Sequence, residues 1–279
     1  MTKVAIQGNA GCFHEIAARR FYGPRSFDTV YCDTFEDVFS AMQANPDECL
    51  GMIAIENTIA GSLLHNYELL RENGSRIIGE YKLHIKHALL CLPEDDWDTL
   101  TEVNSHPVAL MQCRNYLHKH RCLRVVEATD TAGSAENIAR FGLRGHASIC
   151  HASVAELYGL KVLEDSIEDN KHNFTRFLLL ADLCCKGNPE NPWGKTDKAS
   201  IVFALPHEEG SLAKVLAILS FYRINLTKIQ SLPIIGREWE YLFYIDLQYD
   251  DRDRYLQSID AVRPLTRDLR ILGEYHAAE

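Results

Sequence analysis

The sequence predicts an α/β protein built in two parts. Segments typical of strands and helices alternate through a larger body that extends to about Leu183, an order that indicates an α/β fold. A stretch dense in Pro, Gly and Asn follows at residues 186–194 and predicts a linker. Beyond it the order is strand, helix, strand, strand, helix, strand, which is the ferredoxin-like arrangement. A length of 279 residues suits two domains of roughly 150 residues each.

The first part of the body contains three strand–helix units. We expect strands at residues 4–6, 29–32 and 50–55, and helices at residues 13–21, 34–42 and 63–71. Thr34 is the predicted N-cap of the second helix, because Asp37 follows three residues later. Since strands alternate with helices, the sequence predicts a mostly parallel sheet with functional loops at the strand ends.

An extended, apolar-rich stretch at residues 77–92 is long enough to cross from one lobe to another. A second series follows, with strands at residues 102–106, 124–127 and 147–150 and helices at 108–118, 131–141 and 153–158. Residues 173–180 are again typical of a strand. Two such series joined by crossings predict two lobes with a cleft between them.

The segment after the linker gives the clearest order. Strands are expected at residues 199–205, 226–235, 238–248 and 269–275. A helix begins near Gly210, with apolar positions at Leu212, Val215, Leu216 and Leu219, and a second helix spans residues 252–262. These elements make the predicted βαββαβ module.

Composition excludes several classes of protein. The formal net charge is -10 and no long basic run occurs, so neither a nucleic acid nor an anionic membrane is an expected partner. No window approaches the roughly 20 apolar residues of a membrane span, and the N-terminus lacks the pattern of a signal peptide. The nine Cys form no Cys-x-x-Cys, which favours reduced thiols and predicts a cytoplasmic protein.

Signatures of common cofactor and metal sites are missing from the sequence. Only Gly8-x-x-Gly11 stands where a dinucleotide site would carry G-x-G-x-x-G, and there is no Walker loop, H-E-x-x-H or Gly-x-Ser-x-Gly. Gly8 and Gly11 suit either a tight turn or a backbone cradle for an anion, and the turn is favoured about two to one. We therefore expect no cofactor and no metal.

Polar side chains follow apolar strands in three segments, at residues 56–58, 105–112 and 173–177. In the third, alternation places Asn173, Thr175 and Phe177 on one face, with Phe174 and Arg176 on the other. A hydroxyl beside an aromatic ring, next to an Arg, suits a small anionic substrate with an apolar body. An ordinary strand with a solvent-facing Arg is the competing interpretation.

The same segments resemble the prephenate dehydratase family. Residues 175–177 (TRF) look like its Thr-Arg-Phe signature, and residues 56–61 (ENTIAG) resemble its E-N-S-x-x-G loop, with Thr in place of Ser. Residues 105–113 resemble S-H-P-Q-A-L-x-Q-C with Val108 in place of the first Gln, and residues 130–135 (DTAGSA) resemble an S-T-A-x-A-A turn. Each match alone is weak, but their joint order along the chain is specific.

The resemblance implies a domain plan. Residues 1–185 would form the catalytic domain in a two-lobed, periplasmic-binding-protein-like arrangement, with lobes at roughly 1–80 plus 165–185 and at 81–164. Residues 186–197 would be the linker and residues 198–279 a ferredoxin-like ACT domain that regulates the enzyme. The family is a carbon–oxygen lyase that converts prephenate to phenylpyruvate, losing water and carbon dioxide together without a cofactor.

The resemblance also assigns roles to residues. Thr175 would hydrogen-bond the ring hydroxyl as it leaves, and Arg176 would hold a carboxylate or fix the strand. Phe177 would form the apolar wall for the substrate ring. The expected polar residues around the substrate are Asn57, Ser105, Gln112, Thr131 and Asn173.

The C-terminal module resembles an ACT domain at two short motifs. Residues 210–216 resemble G-A-L-x-x-x-L, and residues 230–233 (QSLP) stand in place of the E-S-R-P associated with phenylalanine binding. The expected effector residues are Gly210, Ser211, Leu212, Gln230, Ser231, Leu232 and Pro233. Because Gln230 lacks a carboxylate and Leu232 lacks a guanidinium, we expect control by L-phenylalanine with altered affinity.

Family analogy further predicts a homodimer or homotetramer. Two alternatives for function stay open at this point. One is arogenate dehydratase, which performs the same elimination on the amino-acid analogue of prephenate. The other is a non-catalytic sensor with an ACT domain, because two lobes around a cleft are also the plan of solute-binding proteins.

Overall fold

The computed structural model describes residues 2–186, 195–234, 236 and 240–278. Most of the predicted linker, residues 187–194, lies outside the described residues, as does part of the hairpin turn near residue 237. In the described chain two β-sheets form the framework, one of ten strands and one of five.

The helices and strands alternate along the chain much as the sequence predicts. In chain order they are β1 (Lys3–Gln7), α1 (Phe13–Tyr22), β2 (Asp28–Cys32), α2 (Phe35–Ala44), β3 (Cys49–Asn57), β4 (Gly61–Ser62), α3 (Leu64–Glu72), β5 (Ser75–His84), β6 (Ala88–Cys91), β7 (Glu102–Ser105), α4 (Pro107–Gln112), α5 (Arg114–Lys119), β8 (Arg124–Glu127), α6 (Thr131–Phe141), β9 (His146–Cys150), α7 (Val154–Tyr158), β10 (Lys161–Glu164), β11 (Phe174–Asp182), β12 (Lys198–Ala204), α8 (Ser211–Phe221), β13 (Asn225–Pro233), β14 (Tyr241–Gln248), α9 (Arg252–Val262) and β15 (Arg267–Tyr275).

The larger sheet has the order β13-β14-β12-β15-β5-β11-β3-β1-β2, with β4 paired to β3. Strand β1 runs parallel to β2 and β3, but β11 is antiparallel to both β3 and β5. The expectation of a mostly parallel sheet is confirmed for the three strands from which it was drawn, β1, β2 and β3, and β11 is the antiparallel exception. The chain leaves this sheet through β5 and returns from the smaller sheet through β11, so β11 enters between its neighbours in the reversed direction.

The smaller sheet has the order β10-β6-β9-β7-β8. Because β5 and β6 belong to different sheets, the predicted crossing at residues 77–92 is confirmed. The helix expected at residues 108–118 is instead two short helices, α4 and α5, separated at Cys113, whose backbone angles are φ -113 and ψ 24. The sequence pattern missed strand β10, which supplies an edge of this sheet.

The C-terminal module has the predicted βαββαβ order, and its four strands are arranged β13-β14-β12-β15, as in ferredoxin-like folds. Its edge strand β15 pairs in parallel with β5 at Gly273 and Ile77, which joins the module to the body in one continuous sheet. A Cβ at Gly273 would overlap the carbonyl oxygen of Ile77, so glycine is required for this close approach.

A hydrophobic core also spans the two parts. Tyr67 and Ile77 from the body pack in one cluster with Leu232, Tyr244 and Tyr275 from the module. Burial of side chains this large supplies most of the stabilisation at such a contact, at about 1.5–3 kcal/mol each. No helix in the described part of the chain is long and apolar enough to cross a membrane.

Candidate active site

A cavity of about 360 Å³ lies between the two sheets. Both lobes contribute to its walls. The larger-sheet lobe supplies residues from the loop after β1, from α1, from the end of β3 and from β11, and the smaller-sheet lobe supplies residues from α4 and from the start of α6. Its lining includes Gln7, Cys12, Phe13, His14, Asn57, Ile85, His87, His106, Gln112, Asp130, Thr131, Thr175 and Phe177.

The hydroxyl of Thr175 is oriented by the side chain of Asn57. The Oδ1 atom of Asn57 accepts hydrogen bonds from the backbone N–H groups of Ile59 and Ala60, both at 2.9 Å, which fixes the orientation of the amide. Its Nδ2 then donates to Thr175 Oγ1 at 2.9 Å. Because Oγ1 is the acceptor in this bond, the hydroxyl proton of Thr175 is available to a ligand in the cavity.

Asn173 lies behind this pair and does not line the cavity. It is fully buried, and its Oδ1 accepts from Asn57 Nδ2 at 2.8 Å. This position does not support the expected contact between Asn173 and the substrate, which stays a prediction. Residue 173 immediately precedes β11, and its side-chain oxygen helps to hold the Asn57 amide that orients Thr175.

Aromatic rings form an apolar wall. The ring of Phe177 is 1% exposed and lines the cavity, as does Phe13. The imidazole of His14 meets Phe177 edge to face, with ring centroids 5.0 Å apart. Rings of this kind suit a flat, six-membered carbocycle.

His14 adds a polar group that the sequence analysis missed. Its Nε2 accepts the backbone N–H of Ala54 at 3.2 Å, next to the point where the pairing of β3 with β11 shifts register. Burial lowers the pKa of His14 to about 4, so the ring is neutral at physiological pH. With Nε2 as the acceptor, the proton is on Nδ1 and His14 is a neutral donor beside Phe177.

Gln112 lines the opposite wall, as the resemblance implies, and is held by a buried His87. The side-chain oxygen of Gln112 lies 2.9 Å from His87 Nε2, and the backbone N–H of His87 donates to Glu168 Oε2 at 2.9 Å. Burial lowers the pKa of His87, which keeps this ring neutral as well. His87 has no motif of its own in the sequence, and only the tertiary fold reveals it.

The start of α6 contributes Asp130 and Thr131. Asp130 is the N-cap of this helix, and its Oδ2 accepts from the backbone N–H of Gly133 at 2.6 Å. Thr131 lines the cavity as expected. His106, at the N-cap of α4, also reaches the cavity and accepts the backbone N–H of Val108 at its Nδ1.

Two further expected site residues lie away from the cavity. Ser105 is fully buried and donates to the carbonyl oxygen of Ile149, so it joins β7 to β9 within the smaller sheet. Arg176 lies on the opposite face of β11 from Thr175, where it bonds to Glu80, Asp246 and Tyr275. Of the two roles expected for Arg176, these contacts support fixing the strand and not holding a substrate carboxylate, because protein carboxylates already occupy its guanidinium.

The loop between Gly8 and Gly11 is a turn. The N–H of Gly11 donates to Glu15 Oε2 at 2.7 Å, and the N–H of Cys12 donates to the carbonyl oxygen of Asn9 at 3.0 Å. Both glycines have positive φ, +113° at Gly8 and +84° at Gly11, which the turn requires. Since these N–H groups are already bonded, the alternative of an anion cradle is not supported.

Neither a metal centre nor a reactive thiol is evident at the cavity. No group of three or more His, Cys, Asp or Glu in the part of the chain described here is placed to hold a metal ion. Burial raises the pKa of the Cys12 thiol to about 12, so this lining residue is protonated and a poor nucleophile.

The C-terminal module has a smaller cavity of about 140 Å³ beside the start of α8. Ser211 and Leu212 line it. The preceding residue, Gly210, is the N-cap of α8 and has a positive φ of +75°. The strand residues of the second effector motif lie elsewhere. Leu232 is buried in the core shared with the body, and Gln230 bonds the neighbouring backbone at Ser231; Pro233 ends β13. The structure does not bring the two motifs of one chain to the same cavity.

A family model described as prephenate dehydratase matches residues 4–184. The chain belongs to the prephenate dehydratase family. It is 37% identical over 291 residues to arogenate dehydratase 3, chloroplastic, of Arabidopsis thaliana, covering 98% of this chain and 66% of the relative. The chain thus spans about two thirds of the length of that plant relative.

Solved structures agree with the fold over the whole chain. A prephenate dehydratase from Arthrobacter aurescens in complex with L-Phe has a TM-score of 0.85 at 25% identity, covering 99% of this chain and 90% of that one. A protein described as GqqA, a novel type of quorum quenching acylase, has a TM-score of 0.86 at 28% identity, covering 99% of this chain and 98% of that one.

Proposed function

We propose that this chain catalyses the combined dehydration and decarboxylation of prephenate, or of its amino-acid analogue arogenate, in phenylalanine biosynthesis. The observation that carries the proposal is the Asn57–Thr175 pair. Backbone N–H groups fix the orientation of the Asn57 amide, and this amide donates to Thr175 Oγ1. The hydroxyl proton of Thr175 is then available to a ligand in a cavity with an aromatic wall. This is the group that an elimination of ring hydroxide needs.

The proposed chemistry requires no cofactor. As the ring carboxylate leaves as carbon dioxide, its bonding electrons enter the ring, the C–OH bond breaks, and the ring becomes aromatic. The hydroxyl departs with developing negative charge, which the Thr175 hydroxyl stabilises by hydrogen bonding, with His14 as a second neutral donor in the same cavity. A preorganised donor stabilises the transition state because it does not reorient during the reaction.

Thr175→Val and Thr175→Ser test this role. Valine keeps the shape but removes the hydroxyl, so we expect kcat to fall about 10²–10³-fold, the usual effect of losing one such donor. Serine keeps the hydroxyl and serves as the matched control, with kcat within about tenfold of the parent chain. Near-normal turnover by Thr175→Val would remove Thr175 from the mechanism.

We further propose that residues 198–279 form an ACT domain through which L-phenylalanine inhibits the enzyme, and that the catalytic domain comprises residues 1–185 in two lobes. Support comes from the ferredoxin-like order, from the small cavity at Ser211 and Leu212, and from the L-Phe complex of a relative.

A homodimer or homotetramer is expected. The two effector motifs are separated within one chain, so a second chain would be needed to bring two motifs together at one effector site. No disulfide joins any of the nine cysteines, all of which lie in the described residues, and this favours the reducing cytoplasm.

Two other functions have less support. A non-catalytic sensor would have no need for the oriented hydroxyl of Thr175, and product formation by the purified chain decides between sensor and enzyme. Acyl hydrolysis, named for one structural relative, requires an activated nucleophile. The described residues that line the cavity include no serine, and the only thiol among them, Cys12, is protonated.

A further inference from the structure

The cavity carries an acidic group whose charge the proposed elimination does not use. Asp130 lines the cavity at the start of α6. Its Oδ2 accepts from the backbone N–H of Gly133. Within the part of the chain that the structure describes, Oδ1 has no hydrogen-bond donor, so one carboxylate oxygen is open to a ligand.

The surroundings of Asp130 favour a positive ligand group. The described residues that line the cavity include no Lys or Arg, and two of the three lining histidines, His14 and His87, are kept neutral by burial, which lowers the pKa of each. Burial raises the pKa of nearby Tyr158, and the carboxylates of Glu136 and Asp130 raise it further. The local potential beside Asp130 is therefore negative.

The two candidate substrates differ at one position of the side chain. Prephenate has a keto group there, which is neutral and only accepts hydrogen bonds. Arogenate has an ammonium group, which is positive and only donates. An open carboxylate oxygen pairs with the ammonium but meets the keto oxygen as one acceptor facing another.

We propose that Asp130 binds the substrate ammonium and makes the cavity selective for arogenate over prephenate. This inference rests on the proposed dehydratase function and adds the substrate to it. The product would then be phenylalanine itself, formed without a later transamination, so the amino group must be added by a transaminating reaction that precedes this enzyme.

If Asp130 served only to cap α6, its negative charge would not be needed. Asp130 caps α6, but serine and asparagine are equally good N-caps, and the family turn that residues 130–135 resemble begins with serine. Asp130→Asn and Asp130→Ser should therefore keep the helix while removing the carboxylate. Glu136→Gln is the matched control, because Glu136 is on the same helix but does not line the cavity.

The experiment measures kcat/KM of the full chain and of these variants on arogenate and on prephenate, with phenylalanine and phenylpyruvate quantified by chromatography. We expect the parent chain to prefer arogenate. Asp130→Asn and Asp130→Ser should lower kcat/KM for arogenate about 10- to 100-fold, the value of one hydrogen bond between charged groups, and leave prephenate turnover equal or higher. Glu136→Gln should change kcat/KM for either substrate far less, because the Glu136 carboxylate adds to the local potential but does not line the cavity.

Three results would overturn the inference: a parent chain that prefers prephenate, equal losses on both substrates in the Asp130 variants, or the same change of preference in Glu136→Gln. These results are distinct from failure of the proposed function, in which the parent chain forms no aromatic product from either substrate. Melting temperatures within a few degrees of the parent chain's establish that the variants are folded.

Discussion

Replacing Arg176 with alanine tests how the C-terminal module is attached to the catalytic strand. Arg176 is 8% exposed and bridges the two parts of the chain. Its Nε bonds Glu80 of β5 at 2.6 Å, and its terminal nitrogens bond Asp246 of β14 and the hydroxyl of Tyr275. On the same strand the adjacent residue, Thr175, faces the cavity, so this cluster lies directly behind the proposed catalytic group.

The size of the effect follows from which partner is left unpaired. Without Arg176, Glu80 keeps the ammonium of Lys198, with both oxygens 2.9 Å from Nζ. Asp246 keeps only the hydroxyl of Ser200 as a described side-chain donor, so one buried carboxylate loses the cation that it contacts directly. Removing one partner of a buried ion pair typically lowers the free energy of unfolding by about 3–5 kcal/mol. Because Lys198 still neutralises Glu80, we expect a loss at the lower end of this range, about 3 kcal/mol. For a chain of this size that corresponds to a drop in Tm of about 6–12 °C.

Thermal unfolding of the Arg176→Ala chain, followed by circular dichroism, measures this loss. The exposed Arg121 gives the matched control, because Arg121→Ala should move Tm by no more than about 2 °C. The double variant Arg176→Met/Asp246→Leu removes both charges and should regain much of the loss, since apolar replacement of a whole buried pair is often neutral. If Arg176→Ala melts like Arg121→Ala, the cluster does not hold the module in place.

The remaining predictions concern the sheet junction and the neutral histidine. Gly273→Ala should lower the free energy of unfolding by about 1–3 kcal/mol, because its Cβ would overlap the carbonyl oxygen of Ile77, and a denaturant titration that matches the parent would contradict the close approach. For His14, the folded pKa of about 4 lies below the unfolded value of about 6.5, so its contribution to stability is complete above pH 6.5 and is lost as pH falls toward 4. His14→Gln should therefore flatten the loss of stability across that window, measured by denaturant unfolding at several pH values, and parallel curves for the two chains would refute this.

The local pattern predicted the orientation of the central strand correctly. Period-2 alternation over residues 173–177 placed Thr175 and Phe177 on one face and Arg176 on the other, and the structure has this arrangement. The same alternation placed Asn173 beside Thr175, and both side chains accept from Asn57 Nδ2, at 2.8 Å and 2.9 Å, although residue 173 lies just before the strand begins.

The sequence pattern could not predict which residues from distant segments meet in the folded chain. His14, His87 and Asp130 come from segments far apart in the chain, and nothing local distinguishes a cavity-facing histidine from one in a core. The one usable signal was position, because His14 lies in the first turn of the helix after β1, where α/β proteins place functional groups. The partners of Arg176 were also hidden, since β5 and β14 are brought together only by the continuous sheet.

Turnover of both candidate substrates by the purified chain tests the central claim most directly. The account predicts that the chain releases carbon dioxide and forms an aromatic product, phenylalanine from arogenate or phenylpyruvate from prephenate, without added metal or cofactor. Absence of aromatic product from both substrates, with a folded chain, would contradict it.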